Sequence, residues 1–108
     1  FRGLLYLYEE LFTESIYDFT QNINLSNKHK KKNLKKLFNT PRELGDSYFY
    51  RGYALAKINN TKEAILDFDK ALKECTDCID DELFRKLDGE AKDTLEKQLK
   101  LLNLFSFK

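Results

Sequence analysis

Apolar residues recur every three or four positions along most of this chain, the spacing that gathers them on one face of an α-helix. Leu83, Phe84, Leu87, Ala91, Leu95, Leu99 and Leu102 form the longest such stripe and predict one helix over residues 80–105. Gly89 falls opposite that stripe, so the helix is expected to tolerate it, at about 1 kcal/mol relative to Ala. Ala64, Ile65, Phe68, Ala71 and Leu72 form a second stripe on a helix expected over 61–74. Tyr48, Gly52, Leu55 and Ala56 line a third, which should run to about residue 58. Thr40-Pro41-Arg42-Glu43 reads as the start of that third helix, with Thr40 capping, Pro41 in the first helical position and Glu43 completing a capping box. Asn59-Asn60-Thr61 interrupts the pattern, with Thr61 placed to cap the next helix. One Pro and four Gly leave little material for turns and strands, so the chain is expected to be all-α.

The pattern is also doubled. Phe1-Arg2-Gly3, followed by Glu14-x-Ile16-x-Asp18-Phe19, recurs 49 residues later as Tyr50-Arg51-Gly52, followed by Glu63-x-Ile65-x-Asp67-Phe68. Self-similarity at a fixed offset marks a repeat architecture, in which each unit buries its apolar face on a neighbour. The small residues suit such a unit: Gly52 on one helix and Ala64 and Ala71 on the next permit close approach, and Phe68 fills the space beside them.

At this point the residues resemble a known family. Tyr50-Arg51-Gly52-Tyr53-Ala54-Leu55-Ala56-Lys57, then Glu63-Ala64-Ile65 and Asp67-Phe68-x-Lys70-Ala71-Leu72, are similar to a tetratricopeptide repeat. In the first copy Gly3, Tyr6, Phe12, Ile16 and Phe19 follow the same pattern, whereas Ser15 and Asn22 stand where small Ala residues are usual. A polar amide such as Asn22 in a tight helix interface is expected to need a hydrogen-bond partner. The resemblance implies a helix-turn-helix array: residues 1–26 a degenerate first repeat cut short at its start, 40–76 the second repeat, and 80–105 a long C-terminal capping helix. The family period is 34 residues, so the extra length isolates an insert over 27–39, where Leu34, Leu37 and Phe38 share a helical face and predict a short docked helix.

Charge changes the picture only locally. The chain carries 19 basic and 18 acidic residues. Lys28, Lys30, Lys31, Lys32, Lys35 and Lys36 supply six of the basic ones, so without them 13 face 18 and the body is mildly acidic. That cluster is a candidate contact for RNA or another polyanion, or a nuclear-import signal, but it lacks aromatic residues for base stacking and reads first as a solvated insert. Nucleic acid is therefore not the expected main partner. No apolar run is long enough to span a bilayer. With no Met in the chain, the sequence reads as a piece of a longer protein, expected in the cytoplasm, with the nucleus as the alternative.

Cys75-x-x-Cys78 has too few partners for a zinc site, since four ligands are needed and His29 is the chain's one histidine. No strand precedes it to suggest a redox fold. Reduced structural thiols are expected. Neither a cofactor nor a metal is expected, and no nucleophile-base pair or phosphate loop points to an enzyme.

The resemblance implies instead a protein-interaction scaffold whose first helices line a concave groove for a partner's peptide or helix. By residue correspondence the groove positions are Leu4, Leu7 and Tyr8, then Asp46, Phe49, Tyr53 and Lys57. Cover by the chain's own C-terminal helix is the competing account of Leu4, Phe49 and Tyr53. A clamp for the acidic tails of chaperones is not expected, because Leu4, Tyr50 and Asp46 stand at its positions. Leu101, Leu102, Leu104, Phe105 and Phe107 cannot all face one neighbour, so self-association through the apolar C-terminus is a further alternative.

Overall fold

The computed structural model describes residues 2–31 and 41–106, all of whose regular structure is helical: α1 Arg2–Tyr8, α2 Phe12–Lys31, α3 Pro41–Lys57, α4 Thr61–Glu74, α5 Asp81–Lys86 and α6 Gly89–Ser106. The chain winds as two helical hairpins, α1 with α2 and α3 with α4. Helix α3 packs between α2 and α4, and α6 lies on the far side of α4. Pro41 opens α3, where its missing N–H costs no intrahelical bond. The proposed cap at position 40, and Leu34, Leu37 and Phe38, lie outside the described residues. Helix α2 continues to Lys31, past the expected end of the first repeat at residue 26 and into the expected insert.

The doubling extends to individual backbone bonds. In the first turn Leu11 N–H donates to Tyr6 O at 2.8 Å and Glu10 N–H to Leu7 O at 3.0 Å. In the second, Asn60 N–H donates to Leu55 O at 2.8 Å and Asn59 N–H to Ala56 O at 3.0 Å. Both pairs close a helix C-terminus around one left-handed residue, Glu10 at φ 62 and Asn59 at φ 66. The offset is again 49 residues. Asn59 therefore makes the turn, while Asn60 holds the N-cap position of α4 without a side-chain cap bond; Thr61 is the first helical residue, not the expected cap.

Within each hairpin the same glycine faces the same phenylalanine. A Cβ on Gly3 would stand 2.9 Å from the Phe19 ring, and one on Gly52 would stand 2.8 Å from the Phe68 ring. Any side chain there would push the helices apart. Ser15 and Ala64 hold the equivalent buried position, and Ser15 discharges its hydroxyl by donating to Gly3 O at 3.0 Å. Asn22 needs no such partner, because it is only half-buried where Ala71 is fully enclosed.

Two expectations change after α4. The chain leaves the helix at Cys75 (φ −162, ψ 111), and the turn that follows brings Cys75 and Cys78 to a Cα separation of 5.5 Å, where they form a disulfide. The expected separate thiols are thus paired. A loop this short stabilises by only about 2 kcal/mol through lost unfolded-state entropy. Alkylation of the denatured, unreduced chain should therefore add no adducts, and prior reduction should add two and lower the thermal midpoint modestly.

The second change concerns the C-terminal helix, which is two helices instead of one. Asp80 caps α5 by accepting from Leu83 N–H at 3.2 Å, the chain becomes extended at Leu87 (ψ 157), and α6 restarts at Gly89 with φ +73. That left-handed value is cheap only for glycine. Yet Leu83, Leu87, Ala91 and Leu95 are buried on both sides of the break. The apolar stripe persists where the helix does not, so burial against the core governs the path.

Candidate partner-binding face

Each hairpin is cross-linked by an arginine on its first helix and an aspartate on its second. Arg51 grips Asp67 with two nitrogens, Nε to Oδ2 at 2.7 Å and Nη2 to Oδ1 at 2.8 Å. Its third nitrogen, Nη1, donates to Thr20 Oγ1 of α2 at 3.2 Å, so one side chain ties both hairpins. In the first hairpin Arg2 meets Asp18 Oδ1 through Nε at 3.3 Å and Nη2 at 3.2 Å, and Gly3 N–H donates to Oδ2 at 2.8 Å. The hydrogen bonds it donates to Asp67 hold the Arg51 guanidinium pKa above its ordinary value despite burial. This pair is fixed structure, and it orients α3 for whatever its free face meets.

That free face is narrower than expected. The two ends of α5 reach α3: Lys86 O at its end accepts from Lys57 Nζ at 2.6 Å, and Asp80 before its start acts on Asp46 and Tyr50. Burial, opposed by Arg42 and reinforced by Asp80 and Glu43, pushes the Asp46 carboxyl up from its usual range. Burial first, then Asp80 and Asp46, push the Tyr50 phenol up to about 12. Tyr53 is also raised, by burial and then by Glu10.

The seven groove positions consequently divide. Leu7, Phe49 and Tyr53 are core residues. Phe49 is enclosed against Phe68, with ring centroids 5.6 Å apart, and Tyr53 meets the edge of Phe12 at 6.4 Å and lies under the Lys57 ammonium at 5.5 Å. These three are occupied by the fold and present no surface, which corrects their expected role. Leu4, Asp46 and Lys57 are half-buried and Tyr8 is exposed. Helix α2 brings Lys28, exposed, onto a rigid element; Lys30 and Lys31 lie on its last turn, and Lys32, Lys35 and Lys36 lie outside the described residues.

A second concavity escaped the sequence reading. Between α4 and α6 lies an open cleft of about 380 Å³ lined by Asp69, Leu72, Lys73, Gln98, Leu101 and Leu102. Gln98 Nε2 donates to Asp69 Oδ1 at 3.4 Å, while its buried Oε1 has no partner. Leu102 packs on the core and Leu101 is exposed at the cleft rim, while the side chains of Leu104, Phe105 and Phe107 lie outside the described residues. The clue lay in that surplus of leucines.

Among the described residues no group of three His, Cys, Asp or Glu side chains is placed to hold a metal, and no helix is long and apolar enough to cross a membrane. Compared with known proteins, the chain matches no family model, no curated protein and no solved structure. Its function has to be argued from its own geometry.

Proposed function

We propose that this chain is a non-enzymatic protein-interaction module of the tetratricopeptide type, a scaffold that receives a helix or extended peptide of a partner protein. The observation that carries the reading is the doubled hairpin, repeated down to its turn bonds, its glycine-phenylalanine contact and its arginine-aspartate link. Units built this way spend their conserved geometry on stacking and leave the remaining positions of the first helices free for a ligand. The contact surface is the accessible part of those helices, Leu4, Tyr8, Asp46 and Lys57, with α5 as one wall. An exposed tyrosine such as Tyr8 suits a peptide anchor, because aromatics supply large contact area at low entropy cost.

Selection of a displayed peptide library against the intact chain tests this. Enriched peptides should bind the Tyr8→Ala/Lys57→Ala variant at least ~10-fold more weakly, a difference of about 1.4 kcal/mol, while circular dichroism is unchanged. A library that yields no binder, or binders indifferent to both residues, would refute the reading.

A further inference from the structure

The two hairpins differ in one consistent respect, which is what covers their first helix. In the second hairpin the positions 50, 53 and 54 of α3 face α2. There Tyr50 stacks on Phe19 with centroids 5.5 Å apart, Tyr53 meets Phe12 at 6.4 Å, and Ala54 is fully buried. Arg51 completes the contact through Nη1 to Thr20.

Moved back by 49 residues, positions 51, 53 and 54 become Arg2, Leu4 and Leu5 on α1, with Tyr8 one turn further on; the counterpart of Tyr50 is residue 1, which lies outside the described residues. Leu5 is 63% exposed where Ala54 is 0%, and Tyr8 is 53% exposed. The Arg2 side chain is 73% exposed against 19% for Arg51. Arg2 engages Asp18 through Nε and Nη2, the same two nitrogens that Arg51 turns on Asp67. Its Nη1, the nitrogen that in Arg51 reaches Thr20, has no acceptor among the described residues. A stacking surface therefore stands on α1 with no helix seated on it among the described residues.

We propose that this face of α1 is a docking site for the second helix of a further hairpin of the same repeat type. The chemistry of the occupant is read from α2, which fills the equivalent site one unit along. It is an amphipathic helix with two aromatic residues seven positions apart, as Phe12 and Phe19 are, and a hydroxyl immediately after the second, as in Thr20. The aromatics cover Leu4 and Leu5, and the hydroxyl accepts from Arg2 Nη1. A second copy of this chain does not supply that helix, because its own α2 is seated on α3 and its α4 on α6. Leu4 and Tyr8 border both this face and the proposed ligand surface, but the inference rests on the duplication and is read at Leu5, which belongs to this face alone.

The probe is a labelled synthetic peptide of residues 11–28, the α2 sequence, titrated onto the intact chain. Saturable binding is expected, weakened at least ~10-fold by Leu5→Asp in the chain and equally by replacing both phenylalanines of the peptide with alanine. Leu5 is exposed, so the variant should retain the wild-type circular dichroism spectrum and melting midpoint. Leu5→Lys is the second variant and should weaken binding to the same degree. Absence of binding overturns the inference. So does binding that ignores Leu5→Asp, which would mean the peptide displaces the resident α2. Concentration-dependent dimerisation abolished by Leu5→Asp would assign the face to a second copy and overturn it too. Because the groove test reads Tyr8 with Lys57 and this one reads Leu5, either proposal can fail alone.

Discussion

Phe68→Ala should destabilise the fold by about 3 to 5 kcal/mol, read as a shift in the urea midpoint with unchanged slope. The ring is 1% exposed and sits between Phe49 on α3 and the bare backbone at Gly52. On the other helix Gly52 has no side chain and Phe49 is itself fully enclosed, so few side chains are able to swing into the cavity. A domain this size has about 5 to 15 kcal/mol in all, and the variant should be unfolded at a measurable fraction in buffer. The glycine gives a sharper form of the same prediction. Gly52→Ala alone drives a Cβ to 2.8 Å from Cε1 of Phe68 and must be costly. In the Phe68→Ala background that Cβ enters vacated space, so the double variant should be more stable than the sum of the two changes. Strict additivity would show that the two residues do not meet.

That contact was legible in the sequence because both members recur. Gly3 and Phe19 are repeated as Gly52 and Phe68, and small-against-large pairing across a hairpin has one plain packing meaning. The α3 and α4 boundaries were equally readable, since Pro41 and the Asn59-Asn60 pair punctuate the periodicity. The break at Leu87 was not. A two-residue interruption left Leu83, Leu87, Ala91 and Leu95 in phase, so periodicity alone continued the helix through it. Asp88-Gly89 carried the missing information, because glycine directly after aspartate is turn chemistry, and Gly89 uses a φ of +73. The cysteine pair was missed for another reason. A spacing of three was weighed for zinc and redox chemistry and not for a direct bond, although the turn after α4 leaves the two Cα atoms 5.5 Å apart, within disulfide range.

The proposed binding face was less readable than the fold. Correspondence with a repeat pattern names positions on the first helices but cannot say what the chain folds over them. Phe49 and Tyr53 are large and apolar, properties shared by ligand anchors and core residues alike, and the helices around α3 decide for the core. The arginine-aspartate links were present as letters but not recognised as pairs. Their signal was a duplicated one: Arg2 with Asp18 and Arg51 with Asp67 are opposite charges 16 residues apart in both copies. A spacing preserved in two copies points to a contact even where neither residue looks unusual alone.

Those two links should nevertheless differ severalfold in strength. Arg51→Ala removes both hydrogen bonds to a carboxylate whose side chain is 5% exposed, and stranding a buried charge costs about 3 to 5 kcal/mol. It also releases Thr20 and with it a tie between the hairpins. Arg2→Ala removes a mostly exposed guanidinium, for which about 0 to 1 kcal/mol is expected; Asp18 keeps its bond from Gly3 N–H at 2.8 Å. Urea denaturation of the two variants side by side measures the asymmetry. The cause can be separated from lost packing by Arg51→Met/Asp67→Leu, which deletes both charges while keeping bulk. If the stranded carboxylate is the source of the cost, this double variant should be more stable than Arg51→Ala alone. If it is less stable, the attraction itself holds the hairpin closed, and the link contributes net stability beyond compensating its own burial.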